Sequence, residues 1–253
     1  TEILLTITKY TLTFYAWNVI HLFNVYSTSL EYSILSGNCG FKSKKLCDIH
    51  EALFQSDSFD DYLLTLSKNT RSQYRKKISK IKREGKLELE VVTDYSKYLA
   101  CFQATRDLYN YRWGQDARSL LNDEYYVMRN EALEMCFKNN LAVLYNLRFN
   151  DSIIAFRIGL MHKRVFYDWK VSHSPDYESY SPGFVLVGKI AEDLILKGFE
   201  TINFMTGDYR YKRSWSNSDQ LKSNYEFLAS GRSPVSRFYV FYRLKCREIL
   251  RRY

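Results

Sequence analysis

Apolar positions along this chain follow a strand-like then a helical rhythm before Gly85, and alternate anew after it. Residues 14–25 are aromatic and β-branched, as in a buried strand. Ser27 or Ser29 can cap a short helix ending near Gly37, and a strand around 45–54 follows. Asp57, Ser58 and Asp60 then open one long helix. Tyr62, Leu63, Leu66, Tyr74, Ile78 and Ile81 keep its apolar face in register, and Gly85 ends it. Beyond Gly85, Leu87–Val92 alternates as a strand, helices run from Asp94 to about Tyr111 and from Asp123 to Lys138, and three strands follow at 141–149, 152–161 and 164–173. Asn150-Asp151 supplies the first hairpin turn and His162-Lys163 the second. A Ser/Pro/Tyr-rich loop, 172–182, leads to a helix 183–197 that Gly198 stops. A strand 201–205, a short helix 208–215 and a last strand 223–229 complete the pattern.

From Leu87 onward this order is β, α, α, β, β, β, α, β, α, β, the order of the GNAT fold, an α+β architecture built as an α/β sandwich. In a GNAT sheet the helix after the fourth strand receives the pyrophosphate of coenzyme A. Here that helix begins at Tyr180-Ser181-Pro182-Gly183. Ser181 suits an N-cap, Pro182 has its φ preset for the first turn, and Gly183 allows close backbone approach; such a helix start attracts phosphate. The usual glycine-rich Q/R-x-x-G-x-G/A pattern is absent. A second motif, Thr206-Gly207-Asp208-Tyr209-Arg210-Tyr211-Lys212-Arg213-Ser214-Trp215, follows a strand. Asp208 is placed to cap the short helix, and Tyr211, Lys212 and Trp215 fall within one turn of each other.

Composition narrows the class. The 253 residues carry a net charge of +9 and 17% aromatic residues. Lys68–Lys86 holds nine Lys/Arg against one acid, and Arg232–Tyr253 seven against one, which suits partners bearing phosphate. Five scattered cysteines without CxxC (Cys39, Cys47, Cys101, Cys136, Cys246) argue against a zinc site or a disulfide framework and fit a reducing, cytoplasmic setting. Tyr10–Tyr26 is too polar and short for a membrane span, nothing reads as a signal peptide, and the absence of an initial Met points to residues upstream.

Arg71-x3-Arg75 in a basic helix, Ser181-Pro182-Gly183, and Gly207-Asp208-x2-Tyr211-Lys212-x2-Trp215 together resemble the CelD-type (BcsL-like) acetyltransferases, GNAT-related proteins of polysaccharide biosynthesis distantly similar to the Fem aminoacyl transferases. Trp17-Asn-Val-Ile-x-Leu and Leu66-Ser-x-Asn-Thr-Arg71 extend the likeness over most of the chain. The resemblance implies a tandem GNAT-like arrangement: an incomplete N-terminal half (1–57), a basic linking helix (58–85), a complete acyltransferase domain (86–231) and a basic amphipathic helix (232–253). It also implies an acyl-CoA donor, no metal, and an amino-sugar or polysaccharide-precursor acceptor.

By position, Asp208, Lys212 and Tyr211 are the catalytic candidates; Ser181, Pro182, Gly183, Phe184 and Val185 would hold the donor; Asp168, Lys170, Tyr180 and Trp215 would meet the acceptor. His173 is a further candidate base, and neither Cys101 nor Cys136 is expected to act as a nucleophile. The rival readings are a Fem-like transferase whose basic helix contacts tRNA phosphates, and a non-catalytic module binding a polysaccharide synthase or membrane surface. In the terminal helix, Val235, Phe238, Tyr239, Tyr242, Cys246, Ile249 and Leu250 form an apolar stripe that would dock on the N-terminal half or lie on anionic lipid at the inner face of the membrane.

Overall fold

The computed structural model describes residues 19–37, 40–113, 126–219, 222–231 and 233–245. Residues 14–18 of the first expected strand, 123–125 of the second mid-chain helix, 246–253 of the terminal helix, and Cys39 and Cys246 lie outside them. In chain order the elements are β1 (Val19–Tyr26), α1 (Leu30–Ser36), β2 (Lys42–Ile49), β3 (Glu51–Leu53), α2 (Phe59–Thr65) and α3 (Lys68–Glu84). Next come β4 (Leu87–Val92), α4 (Tyr95–Trp113), α5 (Tyr126–Lys138), β5 (Ala142–Phe149), β6 (Ser152–His162) and β7 (Val165–His173). A 3-10 turn (Pro175–Tyr180) then precedes α6 (Pro182–Leu196), β8 (Thr201–Asn203), α7 (Arg210–Trp215), β9 (Lys222–Ser230) and α8 (Pro234–Lys245).

The chain divides into two compact units. The larger, His50–Met205 with Tyr209–Asp219, holds a six-stranded sheet in the order β3-β8-β7-β6-β5-β4. Only the β7/β8 pair is parallel. Alternation along β5 sends Val143, Tyr145 and Leu147 into one core with α2, α3 and α6, and Ala142 and Leu144 into another with α4 and α5. The result is an α/β sandwich. The smaller unit, Thr1–Ile49, Thr206–Asp208 and Gln220–Tyr253, is built on an antiparallel sheet in the order β1-β9-β2. This division differs from the expected boundaries at 57/58, 85/86 and 231/232.

Several expectations are corrected by local chemistry. The single strand around 45–54 is two strands, β2 and β3, in separate sheets. The last strand, β9, pairs with β1 and β2, and β3 takes the sheet edge beside β8 instead. The long helix from Asp57 to Gly85 breaks at Leu66, which is extended and buried. Ser67 restarts it: its Oγ accepts the Thr70 N–H at 3.2 Å, a local bond that competes with helix continuation. Arg71 then donates to the Leu64 and Leu66 carbonyls (2.9 and 2.6 Å), and Lys77 donates to the Ser179 carbonyl at 2.6 Å, so part of the basic run serves the fold.

Asn150 and Asp151 both adopt positive φ, as a tight two-residue hairpin requires. The second turn is Lys163-Arg164, not His162-Lys163, because His162 still pairs with Val165. Arg164 is held in its left-handed conformation by bonds to the Gly198 carbonyl (2.6 Å) and Glu200 (2.5 Å). In the terminal helix, Ser236 and Val240 face inward, while Val235, Phe238, Tyr239 and Tyr242 are exposed. The expected docking stripe therefore points outward.

Candidate functional site

The parallel β7/β8 pairing is brief. Val165, Phe166 and Tyr167 pair with Thr201, Ile202 and Asn203, and there β8 ends. β7 continues through Asp168–His173 without a β8 partner, so the two strands part beyond Tyr167. A bulge at Trp169 marks the departure: Ile158 pairs with Lys170 and Gly159 with Asp168, leaving Trp169 extra. Past β8, the Phe204 N–H turns to the His50 carbonyl at 3.0 Å, and Met205 adopts φ 54°.

Around the free end of β7 lies a cavity of about 290 Å³, whose walls include Arg112 from α4, Arg157 from β6, Ser172 and His173 from β7, Gly183 and Phe184 from α6, and Tyr209 and Tyr211. The α6 start differs from the capping expected of Ser181. Ser181 is left-handed (φ 53°, ψ 56°), and its hydroxyl makes no cap bond; its carbonyl instead accepts from Phe184 and Val185 N–H at 2.9 and 3.0 Å. Pro182 has no N–H, so among the described residues Gly183 supplies the first-turn donor without a backbone partner. A Cβ on Gly183 would stand 2.9 Å from His173 Nδ1, which explains the glycine by close approach.

Arg157 joins the walls of this cavity. It donates to Asp168, its Nη2 donates to the Gly183 carbonyl at 3.3 Å, and its guanidinium lies 4.8 Å from the centre of the Tyr211 ring. Burial works against the Arg157 cation, yet the Asp168 carboxylate and Tyr211 outweigh it and raise its pKa. Burial pushes the Asp168 carboxyl up, opposed by Arg157 and Lys212. Burial likewise raises the Tyr211 phenol, which therefore stays protonated at neutral pH.

His173 sits against the Arg112 guanidinium, with Arg112 Nη1 at 2.8 Å from His173 Nε2. Burial, then Arg112 and Arg157, depress the imidazole from 6.5 to about 4. Unfolded chains take up this proton first as pH falls, so the stability His173 contributes is full above pH 6.5 and lost between 6.5 and about 4. We expect a loss of about 1–2 kcal/mol over that window, allowing for solvent screening of a half-buried ring. Denaturant unfolding of wild type and His173→Gln across this range checks it; equal pH slopes in the two proteins would refute the assignment.

The remaining expected residues separate. Tyr211, Ser181, Gly183 and Phe184 line the cavity. Asp168 is buried and paired with Arg157, and it is not among the residues of the cavity wall. Asp208 is exposed and belongs to the smaller unit, and the N-cap position of α7 is Tyr209, with no side-chain cap. Lys212 is buried, its Nζ 5.4 Å from the Tyr209 ring centre. Trp215, Val185 and Pro182 are core residues. Tyr180 donates to Glu84 and lies under Lys80, and Lys170 lies over Trp169. Cys101 and Cys136 are half-buried away from the cavity, and burial followed by Glu90 raises the Cys101 thiol. Arg112 and Arg157 lie outside the motifs that the sequence pattern singles out. A lone arginine within the apolar run Ile153–Met161 was the available signal for the second, since a charge in a central strand must be paired.

Solved structures show the same architecture. FemX matches 94% of this chain and 78% of its own, with a TM-score of 0.63 and 11% identity. L-PGS from Bacillus licheniformis matches 89% and 72% (TM-score 0.58, 14% identity), and a DUF2156 C-terminal domain from Agrobacterium fabrum matches 83% and 67% (TM-score 0.59, 14% identity). No curated protein sequence matches the chain. The family model described as an acetyltransferase (GNAT) domain matches residues 68–213, more than half of the sequence and the stretch that carries the splayed strands and most of the cavity wall, and the chain belongs to that family.

Proposed function

We propose that the protein transfers an acyl group from an acyl-CoA thioester to an amine, the acceptor being an amino sugar or polysaccharide precursor as in the CelD-type proteins it resembles. The observation that carries the donor half of this reading is the meeting of β7, beyond the end of its β8 pairing, with the Gly183 helix start at one cavity. The chain's own groups fit such a donor. The Gly183 N–H and the positive end of α6 can receive a phosphate, and backbone N–H groups along Asp168–His173 can polarise a thioester carbonyl. The thioester supplies the activated acyl carbon and a thiolate leaving group.

Tyr211, held neutral on the cavity wall, can give a proton to the departing sulfur. His173 is too weak a base at about 4 to hold the proton of an amine, so it shapes the cavity and the amine's proton leaves through solvent. Neither Cys101 nor Cys136 borders the cavity, which supports direct transfer over a cysteine acyl-enzyme.

Calorimetric titration with acetyl-CoA tests the donor. Wild type should bind at micromolar concentration, and Gly183→Glu, which places bulk and negative charge against His173, should weaken binding by about 100-fold. Absence of acetyl-CoA binding in the wild type, together with salt-dependent binding of charged tRNA, would replace this reading with a Fem-like one. The exposed Lys68, Lys76, Lys82 and Arg83 of α3 would then be the cations to neutralise.

A further inference from the structure

Helix α8 is built inside out for a helix on a protein surface. Its inward face consists of small or slim residues: Val240 is buried, and Ser236 is buried with its hydroxyl donating to the Gly231 and Ser233 carbonyls (3.1 and 2.8 Å). The large side chains point the other way. Val235 is 78% exposed, Phe238 67% and Phe241 54%, with Tyr239 and Tyr242 also exposed. Phe238 and Tyr242 stack on each other, ring centres 6.4 Å apart at 22°, so the patch is continuous. A contiguous aromatic surface of this kind on one twelve-residue helix marks a contact surface.

Charge selects the occupant. Ser233–Lys245 contains Arg237, Arg243 and Lys245 and no carboxylate. Lys44 on β2 brings its Nζ to 3.3 Å from the Leu244 carbonyl, at the end of α8, and Lys42 stands on the same face of that strand by the two-residue repeat. A second copy would press two such cationic faces together. A bilayer with anionic headgroups meets both properties at once, since aromatic rings settle at the boundary between headgroup and acyl chain while Lys and Arg pair with phosphate. Among the described residues no helix is long and apolar enough to cross a membrane, so the contact is one of lying on the surface.

We propose that the outward face of α8 rests on anionic lipid, with Val235, Phe238 and Phe241 entering the headgroup boundary and the exposed Arg237 and Lys42 meeting the phosphates. This inference stands on the smaller unit alone and does not depend on the acyl-transfer reading.

Co-sedimentation of the full chain with vesicles tests it. Binding is expected to vesicles of phosphatidylcholine with one quarter phosphatidylglycerol, to fall by about tenfold or more as salt is raised from low to physiological, and to be weak with phosphatidylcholine alone. Phe238→Ser with Phe241→Ser should lower affinity about tenfold while circular dichroism and the melting temperature stay unchanged, because both rings are already in solvent. Lys42→Glu with Arg237→Glu should remove the preference for the anionic vesicles. Three results would overturn the proposal: no binding to anionic vesicles, undiminished binding by the serine variant, or a concentration-dependent dimer in ultracentrifugation that the serine variant abolishes.

Discussion

Replacing Arg157 with Leu is expected to lower the rate of acyl transfer by about 100-fold or more and to destabilise the protein by about 3–5 kcal/mol. The side chains of Arg157 and Asp168 are 4% and 1% exposed, so the loss of one charge strands the other where water cannot solvate it. The catalytic loss has a separate origin. Arg157 is the tie between the Gly183 carbonyl at the head of α6, the Tyr211 ring and the Asp168 carboxylate on β7, and these three elements form the cavity. Without it the start of α6 and the phenol lose their common support, and a displacement of about 1 Å is enough to cost two orders of magnitude.

Two further variants separate stability from positioning. Arg157→Leu combined with Asp168→Leu removes both charges and should recover most of the stability but none of the activity. Arg157→Lys keeps the charge but cannot hold a carboxylate and a carbonyl together, so kcat should fall with stability less affected. Urea unfolding and steady-state kinetics on the same preparations decide the matter. Full activity in the double leucine variant would show that Arg157 serves only the fold.

Much of this site is legible in the residues. Alternation from Leu87 to His173 locates four strands because each has two buried faces or one, and Gly85, Asn150-Asp151 and Gly198 punctuate them where positive φ or close approach is needed. Ser181, Gly183 and Tyr211, all within the two motifs, reach the cavity. What the residue pattern conceals is long-range. Nothing in Glu51-Ala-Leu announces a strand that crosses to β8, since three residues carry no periodicity. The assignment of β9 to the β1/β2 sheet depends on pairing partners some 200 residues away in the chain. Asp168 was visible, but its buried partner Arg157 sits eleven residues earlier on another strand, and only the β6/β7 register brings them together. Lys212 and Trp215 share a motif with Tyr211, yet a helix of six residues turns them to different surroundings.

Trp215 gives that last point its sharpest consequence. Trp215→Ala is expected to cost about 3–5 kcal/mol, the range for removing a large buried aromatic side chain. The indole is fully buried, packed at 5.3 Å from Tyr74, 6.4 Å from Tyr62 and 5.0 Å from Phe184, and it fills the space above Gly188, where a Cβ would come within 2.7 Å of its ring. Among the described residues its Nε1 has no hydrogen-bond partner, so the energy is packing energy, and the bond from the Tyr62 hydroxyl goes to the Trp215 backbone carbonyl, which any residue provides. Trp215→Phe should therefore recover a large part of the loss. If Trp215 instead bound the acceptor, the Phe variant would melt like wild type and show a raised KM for the amine. The packing account requires the opposite split: a lowered melting temperature with the amine KM unchanged. Phe184 packs on Trp215 and also lines the cavity, so the Ala variant should also weaken donor binding as Phe184 settles into the vacated volume. Thermal unfolding, amine KM and acetyl-CoA affinity measured on the three proteins distinguish a core residue from a binding one.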